Sequence, residues 1–312
     1  MADTSTQSGL PKVAILLAAY NGMQWIEEQV ASILAQKAVL VSLFISVDRS
    51  DDGSEAWCQQ LAESDARVTL LPVGLRFGSA TQNFFRLLRE VDFSPFQYVG
   101  FADQDDIWSG QKLSRGVSVL ETGGYAAYSS NVEAFWPDGK RELIKKSQPQ
   151  CELDYLFEAA GPGCTYVMQR DLVLAIQRCL LDRPDEVSRL GFHDWFCYAF
   201  ARGHGYRWYI DDESFMRYRQ HASNVVGVNK GLKPFVVRAK HVWAGSGMGE
   251  TERLLRLIGS GCNDKDLFTV PTSRWAFFKL ALTAQRYRRR FRDQVFFACF
   301  CLLKSITGAG VQ

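Results

Sequence analysis

An α/β fold with a predominantly parallel sheet flanked by helices follows from two features of the chain. Strand-like and helix-like hydrophobic patterns alternate through its first two-thirds, and the apolar segments run into polar, carboxylate-bearing loops. The composition permits a buried core: of 312 residues, 47% are hydrophobic and 22% charged. Those proportions exclude an intrinsically disordered chain, a collagen-like repeat and a polytopic membrane protein.

Val13–Ala19 is a continuous apolar run closed by the turn pair Asn21-Gly22, the pattern of a buried strand. Ile26, Val30, Ile33 and Leu34 then recur at helical spacing. Leu43–Val47 reads as a second strand, followed by a polar turn and a helix over Glu55–Leu61. Val68–Leu71 is a third strand, Thr81–Leu88 a helix and Tyr98–Ala102 a fourth strand. In such a sheet, ligands bind beyond the carboxyl ends of the strands. Three of those ends carry polar groups: Ala19-Tyr20-Asn21-Gly22, Asp48, and Asp103-Gln104-Asp105-Asp106.

Beyond residue 120 the alternation loosens, with strands expected at Ala126–Ser129, Thr165–Met168 and Arg207–Ile210. A Gly161-Pro162-Gly163 loop precedes the second of these, and a helix over Asp171–Leu181 follows it. Gly227–Lys233 marks the expected boundary between a domain of residues 1–228 and a helical extension of residues 229–312.

Charge divides the chain in the same place. Residues 1–229 carry 21 Lys and Arg against 29 Asp and Glu, and residues 230–312 carry 15 against 5. An acidic body with a basic tail points the tail toward an anionic partner. The eight cysteines contain no CxxC pair and several lie in apolar stretches, as expected of buried, reduced thiols in a cytoplasmic protein. The apolar run at Val13–Tyr20 is too short for a secretory signal, and no stretch approaches the roughly 20 apolar residues of a spanning helix.

Several enzyme classes lack their signature here. No GxGxxG follows the first strand, no GxxxxGK[ST] occurs, and HExxH, Cys/His zinc spacing and GxSxG are also missing. What stands at the fourth strand is DQDD. If the segment stays extended, Asp103 and Asp105 point the same way and converge on a hard cation such as magnesium or manganese. Taken alone, the same residues equally describe a solvated acidic turn that caps the next helix.

Three further segments narrow the choice. The chain carries AAYNG at the first strand, DQDDIW at the fourth, His193-Asp194-Trp195, and Tyr218-Arg219-Gln220-His221, in that order. With these motifs, residues 12–228 resemble family 2 glycosyltransferases, particularly bacterial rhamnosyltransferase-like members. The resemblance implies a GT-A fold, a Rossmann-like sheet with a nucleotide-binding half and an acceptor-binding half. It also implies roles for individual residues. Ala19, Tyr20, Asn21, Asp48, Gly78, Asn83, Asp103, Gln104 and Gly163 would lie along the nucleotide-sugar. Asp103, Asp105 and His221 would hold the metal, and Asp194 would be the catalytic base. Trp108, Gly161, His193 and Trp195 would lie near the donor sugar and the acceptor, with Trp108 and Trp195 equally readable as core anchors.

The expected activity is metal-dependent, inverting transfer of a sugar, rhamnose favoured, from a dTDP- or UDP-sugar to a glycan or lipid-linked oligosaccharide in polysaccharide or O-antigen assembly. Two other readings remain open. A sugar-phosphate nucleotidyltransferase shares the sheet and the carboxylates but would carry a Gly-rich basic signature after the first strand. A non-catalytic membrane scaffold would not need Asp103, Asp105, Asp194 and His221 together. Arg286-Tyr-Arg-Arg-Arg-Phe-Arg292 followed by the apolar Val295–Leu303 suggests a helix in a membrane interface, and hence an enzyme peripheral on the cytoplasmic face of the inner membrane. Packing on the body or against a second copy is the alternative. No nucleic-acid-binding module accompanies the arginines.

Overall fold

The computed structural model describes residues 9–221, 246–259 and 270–308. The expected boundary at Gly227–Lys233 and Cys262 lie outside the described residues. The first half of the fold runs β1 (Lys12–Ala19), α1 (Ile26–Leu34), β2 (Leu40–Val47), α2 (Ser54–Ser64), β3 (Val68–Leu70), α3 (Ala80–Glu90) and β4 (Tyr98–Ala102). These strands lie in the order β3-β2-β1-β4, and each neighbouring pair is parallel.

The apolar run of β1 is continuous because both of its faces are covered. Ala14, Leu16 and Ala18 pack into a layer with Phe84, Phe85 and Leu88 of α3. Val13, Ile15 and Leu17 face the opposite layer, with Ile26, Val30 and Ile33 of α1. This is the period-two alternation of a strand applied to a sheet with two buried sides.

The second half comprises β5 (Ile107–Trp108), α4 (Lys112–Gly123), β6 (Ala127–Phe135), β7 (Arg141–Ile144), β8 (Val167–Gln169), α5 (Arg170–Asp182), a short α6 (Pro184–Val187), α7 (His193–Gly203) and β9 (Trp208–Arg219). Here the sheet is mixed. β8 runs antiparallel to β4 and β6, while β6 and β9 are parallel. β9 runs well past Ile210, where the sequence pattern ends it at the acidic run Asp211-Asp212-Glu213. Asp211 is fully buried. Its carboxylate accepts hydrogen bonds from Arg115 Nε at 2.8 Å and the Tyr128 hydroxyl at 3.0 Å, so the strand continues through a satisfied charge.

Among the described residues three α-helices follow: α8 (Ser246–Ile258), α9 (Arg274–Leu282) and α10 (Phe291–Thr307). Leu254 and Leu257 of α8 and Phe277 and Leu280 of α9 join the same apolar layer as α3, α5 and α7. Three arginines of the run that leads into α10 are engaged by the body, though only Arg289 is buried. Arg286 pairs with Glu152 at 2.7 Å, Arg288 donates to the Phe157 carbonyl at 2.6 Å, and Arg289 lies between Asp154 (3.5 Å) and Glu158 (3.4 Å). Three of the five arginines that the sequence offers to an anionic partner are therefore engaged by the body's own acidic segment. The seven described cysteines are free thiols, as their spacing suggests.

Candidate active site

The polar loops meet at the carboxyl edge of the β2-β1-β4 sheet. Asp48, just past β2, accepts from the amides of Phe77 (2.9 Å) and Gly78 (2.8 Å), closing the 77–78 loop against the sheet edge. Gly78 sits at φ 77°, a left-handed conformation that suits glycine. Asn83 donates to the carbonyls of Ser46 (2.9 Å) and Ala19 (3.2 Å), tying the ends of β1 and β2 together.

Gln104 braces the neighbouring loop. Its Oε1 accepts from the Tyr20 amide at 2.8 Å and its Nε2 donates to the Tyr20 carbonyl at 2.9 Å. A Cβ on Gly22 would lie 2.4 Å from that Oε1, so a larger residue there would push the Gln104 amide off Tyr20. Tyr20 itself is exposed beside Asn21, whose Oδ1 accepts from the Asp51 amide at 3.0 Å. Asp48, Asn83 and Gln104 thus shape the loops expected to lie along a nucleotide.

The DQDD segment is not extended, because the chain bends directly after β4. Asp105 Oδ2 lies 2.7 Å from His221 Nε2, and the His221 ring stacks on Trp25 at 3.9 Å between centroids. Asp103 belongs to a second group: its carboxylate, that of Asp106 and the Cys164 sulfur offer ligand atoms that all lie within 4.8 Å of one another, the one such group of three among the described residues. Asp103, Asp105 and His221 therefore occur as a close Asp105–His221 pair with Asp103 beside it. Burial first, then the charge of Asp105, pushes the Asp103 carboxyl up to about 7. Asp106 is fully buried, raised by the same two causes, and accepts the Arg219 amide at 3.2 Å.

Behind this cluster, Trp108 is a buried anchor with the Lys112 ammonium 3.5 Å from its ring centre. Burial pushes the Lys112 amine down to about 7. Trp195 donates its indole N–H to the Tyr155 carbonyl at 2.8 Å, which fixes its ring in the wall beside Asp194.

Asp194 occupies the first turn of α7, where it accepts from the Trp195 amide at 2.7 Å. Burial, the largest influence, pushes its carboxyl up to about 6. Asp194 also contributes to raising Asp103, so the two carboxylate groups share one electrostatic site. His193 is pressed against Phe84 at 4.0 Å and edge-on to Phe101 at 5.4 Å, and burial pushes its imidazole down to about 3. It is a neutral packing group that seats the helix turn. The loop preceding β8 passes close by: a Cβ on Gly163 would meet His193 Nε2 at 2.7 Å and Asp194 Cβ at 3.2 Å. Gly161, at φ 145°, packs against the side chain of Lys146, whose charge helps to hold down the Asp194 carboxyl against the effect of burial.

Sequence reasoning did not single out Trp25, Lys112, Lys146, Asp106 or Cys164. Asp106 is the last residue of DQDD, and Cys164 adjoins the glycine loop. The other three come into place only through tertiary packing.

A parallel sheet edge bearing a DxD group, faced by a separate carboxylate at a helix start, defines a GT-A glycosyltransferase. Similarity to known proteins agrees. The family model described as "Glycosyltransferase like family 2" matches residues 11–217, and the chain belongs to that family. It is 42% identical over 218 residues to the dTDP-rhamnosyl transferase RfbG of Shigella flexneri, covering 70% of this chain and 75% of that one. It is 26% identical over 164 residues to WfgD of Escherichia coli, a glucosyltransferase acting on GlcNAc-diphosphoundecaprenol, covering 52% and 61% respectively. In structure, Staphylococcus aureus TarS 1–349 in complex with UDP-GlcNAc superposes with a TM-score of 0.55 at 12% identity, covering 96% of this chain and 93% of that one. That likeness is one of fold.

Proposed function

We propose that this glycosyltransferase moves a rhamnosyl group from a dTDP-activated donor to a hydroxyl of a glycan or lipid-linked oligosaccharide, with inversion, in O-antigen or related polysaccharide assembly. The similarity to RfbG favours the donor, and the similarity to WfgD favours a lipid-linked acceptor. The observation that carries the chemistry is Asp194: a carboxylate at a helix start, raised to about 6, within electrostatic reach of the DQDD group.

In this reading the acceptor oxygen attacks the anomeric carbon as its proton passes to Asp194. The bond from that carbon to the diphosphate oxygen breaks on the opposite face, releasing the nucleoside diphosphate. A base ionised near neutral pH and poised within hydrogen-bond reach contributes about 10²–10⁴-fold. Asp105 and His221, hydrogen-bonded to each other at 2.7 Å, would hold a divalent cation, magnesium or manganese, together with Asp103, whose protonation is favoured by the charge of Asp105 that such a cation would offset. Bound there, the cation would neutralise charge on the leaving diphosphate.

The direct test is a thermal-shift panel of UDP, dTDP, GDP, CDP and ADP with magnesium or manganese. A ligand at about 100 times its dissociation constant adds roughly 2.7 kcal/mol of stability. A metal-dependent rise with dTDP, lost in Asp105→Ala, is the expected result. A rise with UDP and none with dTDP would overturn the donor assignment.

A further inference from the structure

α10 is apolar on two faces. Phe297, Ala298, Phe300 and Cys301 face the core. On the outward side Phe291, Val295, Phe296, Leu302, Leu303 and Ile306 recur at helical spacing along its 17 residues, and all six are exposed, Phe291 at 79% and Ile306 at 67%. A surface helix of a globular protein normally turns a polar face to solvent, and an exposed apolar stripe of this kind marks an interaction surface. α9 packs alongside, with the Arg274 guanidinium hydrogen-bonded to the carbonyls of Ser305 and Ile306. It adds two more exposed apolar side chains, Trp275 at 62% and Leu282 at 64%.

Cations rim this hairpin. Lys279 lies 5.7 Å from the Trp275 ring centre, and Arg292 is exposed at the start of α10. Residues 270–308 hold eight Lys and Arg against a single acid, Asp293. Arg286, Arg288 and Arg289 are engaged by the body and Lys304 is buried, which leaves Arg274, Lys279, Arg290 and Arg292. Asp293 is itself flanked by Arg292 (3.4 Å) and Arg288 (3.8 Å).

We propose that the α9–α10 hairpin is a membrane-docking surface that lies in the plane of a bilayer containing anionic lipid, with the outer stripe of α10 set into the acyl boundary. The charge selects this occupant over a second copy of the chain. A symmetric interface would bring two cationic hairpins together, whereas anionic headgroups complement them. Orientation follows from length: 17 residues span about 25 Å, and no helix among the described residues is long and apolar enough to cross a membrane. A helix in the interface buries its apolar face about 5–10 Å deep, within reach of Phe296 and Leu303 side chains. The cationic run assigned to the membrane from sequence gives way here to the apolar stripe, because three of its arginines face the body. The placement deepens the reading of a lipid-linked acceptor and rests on it for its purpose.

The test is co-sedimentation of the full chain with vesicles of phosphatidylcholine alone or mixed equally with phosphatidylglycerol. Wild type should pellet with the anionic vesicles. Ile306→Glu and Leu303→Glu should each lower partitioning by at least about tenfold while keeping the wild-type melting temperature. Arg292→Glu and Lys279→Glu, which leave the apolar stripe intact, should weaken binding to the anionic vesicles. Failure of wild type to pellet, or equal pelleting of all four variants, overturns the proposal. So does a dimer in solution that Ile306→Glu dissociates, which would assign the face to a second copy. Vesicle binding without transfer to a lipid-linked acceptor would sink the acceptor reading and leave the docking surface standing.

Discussion

Replacing Gly163 with alanine tests how closely the glycine loop and the base-bearing turn are fitted. The added methyl would lie 2.7 Å from His193 Nε2 and 3.2 Å from Asp194 Cβ. Ordinary contact begins near about 3.5 Å, so the first approach is too close by about 0.8 Å. The imidazole cannot retreat, because it is stacked on Phe84 at 4.0 Å and edge-on to Phe101 at 5.4 Å. The strain must move either the loop or the first turn of α7, and both carry the site. Overpacking of this size costs about 1–3 kcal/mol, and a catalytic group displaced by about 1 Å loses up to about 10²-fold in rate. Steady-state transfer assays with Gly163→Ala should therefore show kcat lower by about 10–100-fold, with donor KM little changed and a lower melting temperature. A variant with wild-type kcat and stability would refute the reasoning.

Three further expectations follow from the same geometry. Asp194 must be ionised to accept a proton and is pushed up to about 6, so kcat/KM should rise through that pH and level off above it; a profile flat from about pH 5 to 7 would contradict this. Asp103, raised to about 7 from an unfolded value near 3.9, stabilises the ligand-free fold fully at acid pH and loses that contribution as pH rises through about 7. Asp103→Asn should accordingly stabilise the metal-free protein clearly at pH 8 and little at about pH 4, measured by denaturant titration; equal effects at both would count against it. Trp25→Ala removes the ring stacked on His221 at 3.9 Å and should weaken manganese binding about tenfold in a titration followed by electron paramagnetic resonance, whereas unchanged affinity would show that the imidazole needs no such support.

The first half of the fold was legible because local pattern and tertiary context agree there. β1 and β4 are apolar on both faces and covered on both, so Val13–Ala19 and Tyr98–Ala102 read directly as strands. Where tertiary partners decide, the pattern fell short. β9 was read to end at Ile210 because Asp211 breaks the apolar pattern, but Arg115 and Tyr128 satisfy that carboxylate inside the sheet. β5 and β7 are two and four residues long and exist through pairing with β9 and β6, which no local period records. The carboxylates of the site were legible as a motif, yet the alternation that would align Asp103 with Asp105 does not survive the bend after Ala102. The same limit applies to α10, where the apolar run gave the helix but not which face it turns to solvent.

Whether Asp194 takes the acceptor's proton during transfer from a dTDP-sugar is decided by comparing Asp194→Asn with wild type in two assays, dTDP binding with manganese and transfer from dTDP-rhamnose. Asp194→Asn should bind the nucleotide like wild type and transfer about 10²–10⁴-fold more slowly. Transfer by Asp194→Asn at the wild-type rate would remove Asp194 from the role of base.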